Sequence, residues 1–193
     1  MNAQGVQKYR QLSSDELIAR MASSSQEHAE YHQSRDPFAP AMFSVSWAGE
    51  EVSANWFDTA REFTERWHHQ QQIRLAVEKP GIMTRELYFP VLDCFMRALP
   101  HTYSAVPAKA GALAQFNVAG ECGGNWYLLR NGDTWKLVSS VTGERISETI
   151  IPQEIAWRIF TKGISREAAR AQIQVEGDSE IGWHILKMIS IVG

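Results

Sequence analysis

EFTERWHHQQQIR, Glu62 to Arg74, decides how this chain is read. It contains two glutamates, two adjacent histidines and three glutamines beside Phe63 and Trp67, with no helix breaker. At 100° per residue, Trp56, Ala60, Phe63, Trp67 and Arg74 fall in one narrow stripe of a helix. Asp58, Glu62, Glu65, His69 and Gln72 fall in another, nearly opposite. The aromatic stripe is expected to face the core, and the polar stripe to face water or something polar. Glu65 and His69 stand at i and i+4, so a carboxylate and an imidazole project from one face, one turn apart. Such a pair can grip a divalent ion that accepts nitrogen and oxygen donors, such as zinc or nickel. A catalytic zinc ordinarily takes three protein ligands, so the pair is at most part of a site.

Working outward, Ser53 is expected to cap this helix and the EKPG segment, Glu78 to Gly81, to end it near Val77. Upstream, Ser13 to Glu16 (SSDE) fits a capping box opening a helix with Leu17, Met21 and Ala29 inward. That helix carries a second i, i+4 pair, His28 and His32, which reads as exposed or as a further donor pair. Pro37 and Pro40 mark the loop that follows. Downstream, a helix covers Leu87 to Leu99 with Pro90 inside it, and Pro100 stops it. The pattern changes at SAVPAKAGALA. Thereafter QFNVAGE and NWYLLRN read as strands across a Gly-rich turn, and Asn131-Gly132 signals a hairpin. A helix follows Pro152, Ser165 caps a short helix, QIQVEG is a strand, and the segment from Asp178 to Val192 forms a closing helix. The expected architecture is α+β: a helical half over 1–103, a linker over 104–113, and a small α/β half with an antiparallel sheet over 114–193.

Composition narrows the function classes. The chain has 193 residues, 44% of them hydrophobic, with seven tryptophans, which is enough for a substantial core. The net charge is −3 and no lysine/arginine cluster occurs, so nucleic acid is not expected as a partner. No apolar run is long enough to span a bilayer, and the N-terminal MNAQGVQKYRQL lacks the apolar centre of a secretory signal. Two cysteines, Cys94 and Cys122, suit buried reduced thiols in the cytoplasm better than a disulfide framework. Gly120, Gly123 and Gly124 are followed by no Lys-Ser/Thr and read as a turn, not a phosphate loop. His68 points about 100° away from His69 and is expected at a helix contact.

FDTAREFTERWHHQQQIRLAV resembles the metal-bearing helix of the mycothiol-dependent maleylpyruvate isomerase family, within the DinB-like group of four-helix metalloproteins. That helix carries Glu, then Trp two residues on and His four residues on; Glu65, Trp67 and His69 occupy those places. Gln72 stands where the family usually has an acid, and Arg61 lies one position off its usual spacing. The segments SWAGEEVSANWFDTAR, FMRALPHTY, EIAWRIFTKG and IQVEGDSEIGWHILKMI are similar to the family as well. The resemblance implies a partial DinB-like helical bundle followed by a small sterol-carrier-like α/β domain. It implies a divalent metal, zinc or nickel, on Glu65 and His69, with Gln72 and Glu62 around the ligands. It implies a low-molecular-weight thiol cofactor and isomerase or transferase chemistry on a small electrophilic substrate, with Arg61 and Arg74 as anion contacts. It assigns no further catalytic residue. Family members begin with two more helices that contribute a His ligand, and nothing before Ser13 is long enough to form them. The expectation is therefore a homodimer or an N-terminal helical partner, or half of a split enzyme. The alternative is a non-catalytic module binding a small molecule or lipid.

Overall fold

Ser13 and Glu16 form the capping box read from the sequence: Ser13 Oγ accepts from the Glu16 N–H at 3.3 Å, and Glu16 accepts from the Ser13 N–H at 2.8 Å. They open helix α2 (Ser14–Ser34), which follows a short helix α1 (Asn2–Tyr9) that the sequence reading did not anticipate. A computed structural model describes residues 2–79, 81–140 and 143–190, and the chain divides into two units, 1–39 and 40–193. In the first unit no residue of α2 is buried, and Met21 and Ala29 are exposed where the wheel places them inward.

The second unit begins with a bridge between Pro40 and Ala54 and a 3-10 turn over Ser46–Ala48. Ser53 does not cap the next helix. Its hydroxyl accepts from the Val45 N–H at 2.8 Å and bonds Glu50, so it fastens the preceding loop. Helix α3 (Asn55–Ala76) starts from Ala54 without a side-chain cap. Helix α4 (Arg85–Met96) carries Pro90 inside it, and Pro100 sits in the first turn of the short helix α5 (Leu99–Thr102).

Five strands follow: β1 (Ala112–Ala119), β2 (Gly124–Asn131), β3 (Thr134–Val138), β4 (Glu144–Pro152) and β5 (Gln174–Gly177), in sheet order β3-β2-β1-β4-β5. The Asn131-Gly132 hairpin forms as expected, with Gly132 at φ 59°. The sheet is mixed where an antiparallel one was expected, because β4 lies parallel to β1. Strand β4 was not anticipated. Its buried positions are Ser147, Thr149 and Ile151, while Ile146 and Ile150 lie on the half-buried side. Two small polar residues inward obscure the apolar alternation that marks a half-buried strand. They let a helix approach closely: Thr149 Oγ1 donates to the Gly182 carbonyl at 3.3 Å, within α8 (Ser179–His184).

Helix α6 (Gln153–Phe160) begins immediately after Pro152, and Ser165 caps α7 (Arg166–Arg170). Asp178 caps α8, accepting from the Glu180 and Ile181 N–H groups. This closing helix is shorter than expected, giving way to a 3-10 turn over Ile185–Lys187. Val192, its expected end, lies outside the described residues. The molecule is α+β, and α3 to α5 share one core with the sheet. The expected joint at 104–113 lies within the second unit. There Trp135 Nε1 donates to the Val106 carbonyl at 2.8 Å, and the Tyr103 hydroxyl to the Ile181 carbonyl at 2.8 Å.

Candidate functional site

The buried face of α3 carries Phe57, Asp58, Thr64, Trp67, His68 and Gln71. It is turned by roughly 70° from the expected aromatic stripe. Of that stripe Trp67 is buried, whereas Trp56 and Phe63 are each 37% exposed. The reason is local. Trp67 Nε1 donates to the Ile82 carbonyl at 3.1 Å, and Gln71 Oε1 accepts the Ile82 N–H at 3.3 Å. The segment after α3 thus takes its hydrogen bonds from the Trp67–Gln71 side, and Trp56 is capped outside by the Arg97 guanidinium, 4.8 Å from its ring centroid.

The rotation leaves Glu65 half-buried and His69 largely in solvent. Glu65 Oε2 lies 3.7 Å from His69 Nε2, and His69 Nδ1 lies 3.1 Å from Gln72 Oε1. An amide oxygen can only accept, so Nδ1 carries the proton of that bond and, in the neutral ring, Nε2 keeps its lone pair towards Glu65. Partial burial holds the Glu65 carboxyl above its usual pKa, against the pull of His69 and together with the neighbouring charge of Glu62.

The remaining expected residues are placed differently. Arg61 donates to Asp58 at 2.9 Å and to Glu62 at 2.8 Å, both on its own helix. Glu62 is therefore held by Arg61 at the edge of the pair. Arg74 lies nine residues beyond Glu65, about 14 Å along the axis and on the opposite side of the helix.

His68 was expected at a helix contact and has one. Its ring meets Trp157 of α6 edge-on at 5.7 Å, and neither ring nitrogen has a hydrogen-bond partner among the described residues. Burial first, and the charge of His69 second, lower its pKa to about 4. In the first unit, His28 and His32 meet each other, Nε2 to Nε2, at 3.2 Å. Among the described residues no group of three or more His, Cys, Asp and Glu is arranged to hold a metal ion. Glu65 and His69 thus fit a divalent ion as two donors and do not complete its shell.

Neither cysteine is poised as a nucleophile. Burial pushes the Cys94 thiol up to about 12, and Cys122 Sγ donates to the Met83 carbonyl at 3.1 Å. The glycines at 120, 123 and 124 shape the β1–β2 turn, whose Glu121 and Gly123 carbonyls accept from Arg85 at 3.1 and 2.9 Å. Trp47, Trp126 and Trp135 are core residues.

Sequence reasoning passed over a cleft of about 710 Å³ formed by α7, α8, the 3-10 turn after it and residues 105–107. Its walls include Arg166, Arg170, Trp183, His184 and Lys187. The available signal was the spacing of Arg166 and Arg170 at i, i+4, matched by aromatic and basic residues on the next helix.

No family model matches the chain, and no curated protein matches it. Among solved structures the chain is similar to a UbiJ-SCP2 ubiquinone synthesis protein. That likeness covers 52% of this chain and 83% of the other, at 14% identity and a TM-score of 0.34.

Proposed function

We propose that Glu65 and His69 are two ligands of a divalent-metal site in a thiol-using isomerase or transferase that acts on small electrophilic substrates. In this proposal α3 and its neighbours are part of a DinB-like bundle, and the α/β half is a sterol-carrier-like domain. One observation carries it. In the Glu-x-Trp-x-His segment Trp67 turns into the core, while Glu65 and His69 stay together on the outer side with 3.7 Å between their polar atoms. Gln72 orients the imidazole so that Nε2 faces the carboxylate, as a supporting residue around a metal ligand does. The third donor comes from a second copy of the chain, from a helical partner or from water. A divalent ion there would lower the pKa of a bound thiol and favour thiolate near neutral pH.

Elemental analysis of the dialysed protein tests this reading, beside the Glu65→Ala/His69→Ala double variant. The expected result is about one zinc or nickel per chain, lost in the variant. Absence of metal from both, or equal metal in both, overturns it. A second reading, a small-molecule-binding module without catalysis, is favoured by the cleft beside α7 and α8.

A further inference from the structure

We infer that the cleft between α7 and α8 binds a small organic anion with an apolar body, its acid group held by Arg170 and Lys187. The inference supplies a ligand class for the binding-module reading and stands apart from Glu65 and His69, which contribute nothing to the cleft.

Volume comes first. About 710 Å³ lies within the range of pockets that hold drug-sized molecules. The chemistry of the walls then selects the ligand. The guanidinium carbon of Arg170 sits 4.1 Å from the centroid of the Trp183 ring. The cation–π contact holds the guanidinium beside the indole at the cleft wall, and its N–H fork suits a planar, two-oxygen acid group. Arg166 and Lys187 add two more cations to the lining, against Glu167 and Glu180. Three cations against two carboxylates leave one net positive charge in the lining, so the field in the cleft favours an anion.

The rest of the wall is apolar or neutral. Val106, Pro107 and Leu186 present hydrocarbon. His184 Nε2 lies 3.1 Å from the Thr102 carbonyl, which can only accept, so this nitrogen carries hydrogen and the ring is fixed in place. Burial and the nearby Lys187 both disfavour its protonation, so at neutral pH it adds an aromatic wall rather than a fourth charge. A cationic end and an apolar flank in one cleft fit an acid group on a hydrophobic body. Both a short aromatic acid and a fatty acid meet that description.

The test uses the full chain and the fluorescent aromatic sulfonate 8-anilinonaphthalene-1-sulfonate as probe. Saturable binding is expected, weakened about tenfold or more by Arg170→Ala and by Lys187→Glu. Lys79→Ala, a loss of charge after α3 that does not line the cleft, is expected to leave it unchanged. The uncharged N-phenyl-1-naphthylamine should respond to none of the three. Displacement of the sulfonate by benzoate identifies an aromatic acid, and displacement by laurate a fatty acid. Binding that is indifferent to Arg170→Ala and Lys187→Glu, or displaced by neither acid, overturns the inference. Metal content is unaffected by either result, so failure here is distinguishable from failure of the Glu65–His69 proposal.

Discussion

Trp67 of α3 lies flat against Tyr88 of α4, ring centroids 4.6 Å apart and planes 4° from parallel. The Tyr88 hydroxyl then reaches α6, donating to the Gln153 carbonyl at 2.8 Å and accepting the Trp157 N–H at 3.1 Å. Trp157 returns to α3, meeting Trp67 edge-on at 6.0 Å. Three helices are thus closed in a ring of aromatic contacts, and Glu65 and His69 project from the outer side of the member that carries Trp67.

Removing one oxygen from this ring should be costly. Tyr88 is fully buried, so Tyr88→Phe keeps the stack but removes the bonds to the half-buried Gln153 carbonyl and the buried Trp157 N–H. A loss of about 2 kcal/mol is expected in urea unfolding. Trp67→Phe leaves the Ile82 carbonyl without its donor and thins the stack, and about 2–3 kcal/mol is expected there. If Tyr88→Phe unfolds at the wild-type midpoint, the hydroxyl does not tie α4 to α6.

Gln72 provides a sharper test of the outer side. Its amide oxygen holds His69 Nδ1, so Gln72→Ala frees the imidazole to rotate without removing a proposed ligand. Zinc affinity, measured by competition with a chromophoric chelator, is expected to fall roughly 10–100-fold. Gln72→Glu keeps the acceptor, adds a negative charge, and should bind at least as tightly as wild type. Equal affinities in all three proteins would mean that Gln72 does not orient a ligand.

Features written in short-range chemistry were legible in the sequence. The Ser13–Glu16 box, the Asn131-Gly132 hairpin and the Asp178 cap each need only three or four residues to specify themselves. The approach of Glu65, His69 and Gln72 follows from helical spacing in the same way. What escaped depends on distant partners. Strand β4 turns Ser147 and Thr149 inward because a helix backbone at Gly182 must come close to it, and no local pattern announces that. The face of α3 was misjudged because Gln71 and Thr64 are buried, Gln71 by bonding to Ile82 and Thr64 by donating to the Arg61 carbonyl at 2.7 Å. The helical wheel assigns neither residue to a stripe.

The β1–β2 turn separates steric demand from backbone strain. A Cβ on Gly123 would run into the Val118 carbonyl oxygen, a backbone atom that cannot yield without distorting β1. Gly111 has φ 87° but open space around it. Gly123→Ala is expected to cost about 3 kcal/mol or more, and Gly111→Ala about 1 kcal/mol, in the same unfolding assay. A reversed order would show that the turn adjusts and that φ, not contact, dictates glycine there.

His68 gives the fold a pH dependence whose sign can be worked out. An ordinary imidazole titrates near 6.5, whereas His68 in the fold titrates near 4, because burial against Trp157 disfavours its charge. Between those values the unfolded chain takes up a proton that the folded chain refuses. Its contribution to stability is therefore complete above pH 6.5 and is lost as pH falls towards 4. Glu65 acts in the opposite direction. Its raised carboxyl pKa favours the fold at low pH and withdraws that support as pH rises beyond the ordinary carboxylate range. In His68→Gln the first effect is removed and the second remains. The urea midpoint of wild type should drop between pH 7 and pH 5, and His68→Gln should show a clearly smaller drop across the same interval. Parallel drops would place the acid sensitivity elsewhere and mean that His68 is charged without penalty at its contact with α6.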